Sequence, residues 1–195
     1  MNSNTNQNTN ASTNQNSSTY QERKQTKYTQ AEINRMTHEH FLWLTTKSSP
    51  LAAVLLTDPY DPPKRLEIRY GDLSNLDLSN RNLAYACFEG SNLSHTNFSG
   101  SNLEYANMAY TLQIGTNLDS AVCISTNFYC AILDHINAAF AIFRNANFTK
   151  TIFNKPNFHK AAISTKYLHK GWGEVSASMY YRQGPTQTKE KENML

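Results

Sequence analysis

Residues 91–108 read SNLSHTNFSGSNLEYANM, and a large apolar residue recurs in this stretch at every fifth position. Each of these apolar residues follows an asparagine, and a small residue stands directly before that asparagine. The apolar residues are Leu93, Phe98, Leu103 and Met108. A period of five fits neither the 3.6-residue turn of an α-helix nor the two-residue alternation of a β-strand. The pattern therefore predicts a chain that turns a corner every five residues.

The five-residue period continues in one register from Leu73 to Ile163, which makes 19 quintets. The central residue is Leu, Phe, Met, Ile or Cys in 17 of them, and the exceptions are Gln113 and Ala138. A repeat of this length indicates a solenoid, in which each coil is stabilised mainly by its neighbours. The sequence leaves open whether Gln113 marks a bulge or a centre that turns outward.

The repeats resemble those of the pentapeptide-repeat family, whose motif is roughly Ala-(Asp/Asn)-Leu-x-x. The clearest copies begin at Ser91, Ala106 and Ala146, and the resemblance covers about residues 66–165. It implies an all-β fold, a right-handed quadrilateral β-helix with four quintets in each coil of twenty residues. At the usual spacing of neighbouring strands, the rod would be on the order of 25 Å long.

The flanking sequence predicts three further segments. Residues 1–28 are rich in Asn, Ser, Thr and Gln and predict a disordered tail. Thr29 and Glu32 form a capping-box pattern, which predicts a helix over about 30–46 that caps the solenoid. Its apolar face should comprise Ile33, Met36, Thr37, His40, Phe41 and Leu44. Residues 29–65 thus form a helical cap with a proline-containing linker, and residues 166–195 form a C-terminal cap and polar tail.

The composition limits where the protein acts and what it contacts. The net charge of +3 on 195 residues is too small to indicate direct binding to nucleic acid. The cysteine count of three is odd, and the first residues lack a signal-peptide pattern, so we expect a reducing, cytoplasmic location. Export by a non-classical secretion system stays open. No apolar run is long enough to span a membrane.

The sequence contains no catalytic, cofactor-binding or metal-binding pattern, so we expect a protein that is not an enzyme. His38 and His40 are two residues apart, which points their imidazoles in different directions on a helix. Cys123 is a repeat centre and should be buried, whereas Cys87 and Cys130 fall at outward positions. The glycosylation triplets at Asn92, Asn97 and Asn147 are interpreted as by-products of the repeat.

The residue just before each centre changes character along the rod. It is Asp or Asn up to residue 107, apart from Cys87, and afterwards alternates between Asn and an aliphatic residue. With twenty residues in a coil, this alternation stacks the aliphatic residues into two stripes on opposite faces. The predicted protein interface comprises a first stripe, Leu112, Ile132 and Ile152, and a second stripe, Val122 and Ile142.

These features favour a non-enzymatic scaffold that binds a protein partner or a second copy of itself. The family resemblance implies two alternatives: a DNA mimic that binds type II topoisomerase (gyrase) or protects it from quinolones, and a bacterial effector delivered to a host cell. The charge order bears on the DNA mimic. Residues 66–134 carry seven acidic residues and two basic ones, whereas residues 135–165 carry no acidic residue and four basic ones.

Overall fold

The computed structural model describes residues 25–49 and 64–163. Its helix and strands are, in chain order, β1 (Thr26–Lys27), α1 (Gln30–Ser48), β2 (Gly71–Asp72), β3 (Leu112–Ile114), β4 (Ile132–Asp134), β5 (Ile142–Phe143), β6 (Ile152–Asn154) and β7 (Ala162–Ile163). Most of the predicted N-terminal tail, residues 50–63 of the predicted linker and the predicted C-terminal cap lie outside the described residues.

Residues 66–163 form a β-helix in which each coil takes twenty residues. The parallel strands β3, β4 and β6 pair at this spacing, as do β5 and β7. Single-residue bridges continue the same register elsewhere, for example from Asp77 through Asn97, Asn117 and Asn137 to Asn157. The predicted solenoid and its twenty-residue coil are therefore confirmed.

The central residue of each quintet points into the solenoid. These centres are mostly leucine up to Leu103 and mostly phenylalanine from Phe128 onward. The small residue of a quintet also faces inward, and its hydroxyl often binds the coil below. The Thr96 hydroxyl donates to the Leu73 carbonyl at 2.8 Å, and that of Thr126 donates to the Leu103 carbonyl at 2.7 Å. Each coil thus rests on its neighbour through apolar contacts and hydrogen bonds together.

Gln113 keeps its place in the core, so it marks neither a bulge nor an outward centre. It is fully buried and pairs in regular register with Leu133. Its Nε2 donates to the Thr111 hydroxyl at 2.9 Å, but its Oε1 accepts no hydrogen bond. A buried acceptor without a partner lowers the stability of the folded state.

Replacing Gln113 with leucine is therefore expected to stabilise the protein by about 1–3 kcal/mol, because it removes an unpaired buried acceptor and restores the usual centre. Denaturant unfolding of the parent and the variant measures this change. Gln113→Ala serves as the control, since it removes the same acceptor but leaves a cavity. A Gln113→Leu protein less stable than the parent would contradict the interpretation.

Helix α1 begins at the predicted capping box and ends at Ser48, two residues later than expected. The Thr29 hydroxyl accepts from the Glu32 N–H, and the Thr29 N–H donates to Glu32 Oε2 at 2.8 Å. Ile33, Thr37 and His40 form the buried face. The expectation for Phe41 is wrong, since this side chain is exposed. Phe41 lies one residue beyond the narrow stripe that meets the solenoid.

His40 joins α1 to the first coil through both ring nitrogens. Its Nδ1 accepts from the Leu66 N–H at 3.1 Å, and its Nε2 donates to the Ala84 carbonyl at 3.1 Å. The side chain is fully buried, and this burial lowers the pKa of the imidazole to about 4. His40 is therefore a neutral structural residue that fixes the cap.

Strand β1 lies below the first coil and pairs in parallel with β2. The Tyr28 N–H continues this contact by donating to the Asp72 carbonyl at 3.0 Å. The regular structure thus begins before Thr29, whereas the predicted tail extended to residue 28. The sequence did not indicate β1, because this strand is held mainly by backbone groups.

Candidate protein interface

Asparagines before the centres form hydrogen-bonded ladders that run from coil to coil. In one ladder, Asn137 Nδ2 donates to Asn117 Oδ1 at 3.1 Å, and Asn117 Nδ2 donates to Asn97 Oδ1 at 3.0 Å. Each Oδ1 can also accept the N–H two residues further along the chain, as Asn117 does from Asp119 at 3.1 Å. The side chain therefore fixes a tight turn and satisfies its own polar atoms.

One ladder ends where Leu112 stands directly above Asn92. Leu112 and its successors Ile132 and Ile152 have no side-chain oxygen to accept the N–H two residues further on. The backbone is instead extended over three residues at each level, which gives β3, β4 and β6. The exchange of asparagine for an aliphatic residue thus coincides with a change from tight turns to a parallel sheet.

The first stripe lies on this sheet, stacked in the register that the sequence predicted. Ile132 is 40% exposed and Ile152 is 59% exposed, while Leu112 is half-buried. Ile114, which sequence reasoning missed, adds a further side chain that is 38% exposed on β3. The sheet therefore presents aliphatic side chains to solvent over three successive coils.

The second stripe is stacked as predicted but is less exposed than the first. Val122 pairs with Ile142, and both side chains are half-buried. The next residue in this column is Ala162, which has only a methyl group to contribute. Of the predicted interface residues, the structure thus places Ile132 and Ile152 most openly in solvent.

Acidic residues are distributed around the rod rather than gathered on one side. Glu67, Asp72 and Asp77 lie in three different columns of stacked residues. Glu67 forms an ion pair with Arg65, and Glu89 forms an ion pair with Arg69. Among residues 64–163, the acidic side chains therefore point from several columns of the solenoid.

Exposed aromatic side chains occupy the corners, and sequence reasoning did not identify them as surface features. The residue two positions after a centre has a positive φ throughout the solenoid. Gly90 occupies one of these positions, and the Tyr70 ring lies so close to it that there is no room for a Cβ atom. The signal was the recurrence of aromatics at this quintet position, and the exposed ones are Tyr70, Tyr85, Tyr105, Tyr110 and Phe140.

Among residues 25–49 and 64–163, no cluster of His, Cys, Asp or Glu has an arrangement that could hold a metal ion. All three cysteines are free, and burial raises the pKa of the Cys123 thiol. Cys87 was expected at the surface, but it is buried beneath the next coil, where Asn107 contacts its Sγ. In the same part of the chain, no helix is long and apolar enough to cross a membrane.

The three glycosylation triplets have their asparagines inside the ladders. The Nδ2 atom of Asn92 donates to Asp72, that of Asn97 donates to Asp77, and that of Asn147 donates to Asn127. These amides already have a structural role. These hydrogen bonds agree with the interpretation that the repeat creates the triplets.

Comparison with solved structures gives three examples of similar proteins. HetL is a pentapeptide-repeat protein involved in heterocyst differentiation regulation in the cyanobacterium Nostoc sp. strain PCC 7120. It is 24% identical to this chain, and the alignment covers 51% of this chain and 43% of HetL at a TM-score of 0.38. QnrB1, a plasmid-mediated fluoroquinolone resistance protein, is 20% identical, with 52% of each chain covered at a TM-score of 0.38. A pentapeptide-repeat protein of the Arabidopsis thaliana thylakoid lumen is 19% identical, with 60% of this chain and 80% of that protein covered at a TM-score of 0.26.

The matched region spans about half of HetL and of QnrB1. No curated protein sequence matches the chain. The family model for pentapeptide repeats matches residues 71–109 and 131–164 in eight copies. These residues lie in the stack of twenty-residue coils described above. Residues 71–109 and 131–164 of this chain are therefore pentapeptide repeats.

Proposed function

We propose that this protein is a non-enzymatic scaffold that binds another protein through the first stripe, Leu112, Ile132 and Ile152. A second copy of the chain is one candidate for that partner. We infer that the solenoid has the right-handed quadrilateral form of its family, which makes each side of the rod a nearly flat platform. The three free cysteines suit a protein of the cytoplasm.

The observation that carries this proposal is the exposure of Ile132 and Ile152, one above the other on paired strands, with Ile114 exposed on the same sheet. Two other columns place asparagine at the same position, and its amide groups form ladders there. An aliphatic residue at this position cannot form the hydrogen bonds of the ladder, and it exposes apolar surface to water. Contiguous exposed apolar surface usually marks a site of protein contact.

Replacing Ile152 with aspartate is expected to weaken self-association or partner binding at least about tenfold, because the charge would have to be buried unpaired. Sedimentation velocity measures self-association, and affinity capture followed by titration measures partner binding. Ile152→Thr keeps the branched Cβ and should weaken binding less.

Asn145→Asp is the matched control, because it adds the same charge at an exposed corner nearby and removes no apolar contact. This control should bind as the parent does. If every complex formed by the parent also forms unchanged with Ile152→Asp and Ile132→Asp, the proposed interface is wrong.

The topoisomerase-binding alternative receives less support from the distribution of charge. Two of the seven acidic residues are paired with arginine, and the others point from several columns. A DNA supercoiling assay with purified gyrase, with and without a quinolone, separates the two functions. Inhibition or protection at micromolar protein would favour the alternative over the scaffold.

We also propose that residues 166–195 cover the C-terminal end of the solenoid. Phe153 and Ile163 belong to the last described coil and are only partly buried, although equivalent centres in earlier coils are fully buried. The apolar residues of the C-terminal segment suit such a cover, and they include Tyr167, Leu168, Trp172, Val175, Met179 and Tyr180.

A further inference from the structure

The ammonium group of Lys47 lies against two aromatic rings where α1 meets the solenoid. Its Nζ is 4.8 Å from the centroid of the Trp43 ring and 5.1 Å from the centroid of the Tyr85 ring. Both distances are within the range of about 6 Å in which a cation is attracted to the face of a ring. The chain thus places its own cation in a small aromatic site.

The rings on both sides of this cation are held by contacts that do not involve Lys47. The Trp43 ring stacks on the His40 imidazole with centroids 5.6 Å apart, and His40 is fixed by its hydrogen bonds to Leu66 and Ala84. The Tyr85 ring stacks on Tyr105 with centroids 5.0 Å apart and planes 7° apart. The two rings should therefore keep their positions if Lys47 moves away.

Lys47 is easily displaced from this position. It lies in the last turn of α1, its side chain is exposed, and Tyr85 is itself 40% exposed. A primary ammonium is strongly hydrated and loses little when it returns to water. A quaternary ammonium donates no hydrogen bonds to water, and aromatic rings are the groups that proteins use to bind it.

From this geometry we propose that Trp43 and Tyr85 form a binding site for a quaternary ammonium group, and that Lys47 is an internal competitor for the site. The chemistry is shared by choline headgroups and by trimethylated lysine side chains. The site lies where α1 meets the solenoid and includes no residue of the first stripe, so it is independent of the function proposed above.

The test is a fluorescence titration in a Trp172→Phe background, in which Trp43 is the only tryptophan of the chain. Tetramethylammonium chloride is the first probe, and sodium chloride at equal ionic strength is the blank. Saturable quenching of Trp43 is expected, with affinity about tenfold higher in Lys47→Ala because the competing cation is gone. Phosphocholine and a trimethyllysine peptide then distinguish the two sources of the ligand.

Two variants make the result specific. Tyr85→Ala removes one ring and should abolish saturable quenching, whereas Lys150→Ala should leave it unchanged, because Lys150 lies over Tyr129 at a different part of the surface. Circular dichroism confirms that each variant is folded. If tetramethylammonium gives no saturable quenching in Lys47→Ala, or gives the same quenching after Tyr85→Ala, the site does not exist.

Discussion

Replacing Phe128 with alanine is expected to destabilise the solenoid by about 3–5 kcal/mol, the usual cost of removing a buried phenylalanine ring. Phe128 is fully buried at the point where the core changes from leucine to phenylalanine. Its ring stacks on Phe148 in the next coil at 5.1 Å and meets the edge of Phe143 at 6.0 Å. The variant would leave a cavity between coils that rigid neighbours on either side cannot fill.

Equilibrium denaturation measures this loss, and Phe140→Ala is the matched control. Phe140 is also an aromatic residue of the repeat region, but it is exposed at a corner of the same solenoid. Its replacement should change the free energy of unfolding by less than about 1 kcal/mol. Similar losses for the two variants would contradict the inward assignment of the repeat centres.

Acid is expected to destabilise the N-terminal cap through His40. The pKa of this buried imidazole is about 4 in the folded protein, below its ordinary value of 6.5. The folded state therefore disfavours the proton that the unfolded chain takes up. Stability should be constant above about pH 6.5 and should fall as the pH decreases toward 4, by on the order of 3 kcal/mol in total.

Thermal unfolding between pH 7 and pH 4.5 tests this expectation. Carboxyl groups with lowered pKa values, such as Glu32, Asp72 and Asp77, lose their contribution at lower pH and disturb this window little. His40→Ala should be about 2–4 kcal/mol less stable at pH 7, because two backbone groups lose their partner. The variant should also lose most of the pH dependence, and a variant that keeps the full dependence would show that another group is responsible.

The repeat made the fold predictable because it constrains every coil in the same way. One large and one small residue in each quintet indicated the inward positions, and the twenty-residue coil that the family resemblance implies placed Ile132 above Leu112 and below Ile152. The capping box fixed the start of α1 for a similarly local reason. These features depend on neighbours in sequence or on the period, so the sequence contains them.

The features that escaped prediction depend on contacts between distant segments. His40 binds backbone groups of Leu66 and Ala84. Every residue carries such groups, so the pattern of side chains does not indicate which of them His40 contacts. Gln113 could be placed only once its register with Leu133 was known. The greater exposure of the first stripe could not be read from residue types, because Val122 and Ile142 are as aliphatic as Ile132.

The most direct test of the central claim is the isoleucine methyl NMR spectrum of the protein, recorded with and without its captured partner or across a dilution series. The methyl signals of Ile132 and Ile152 should shift or broaden on association, and those of Ile33 and Ile68, which are buried in the cap and the first coil, should not. Association that leaves the Ile132 and Ile152 signals unchanged would contradict a protein interface on β3, β4 and β6.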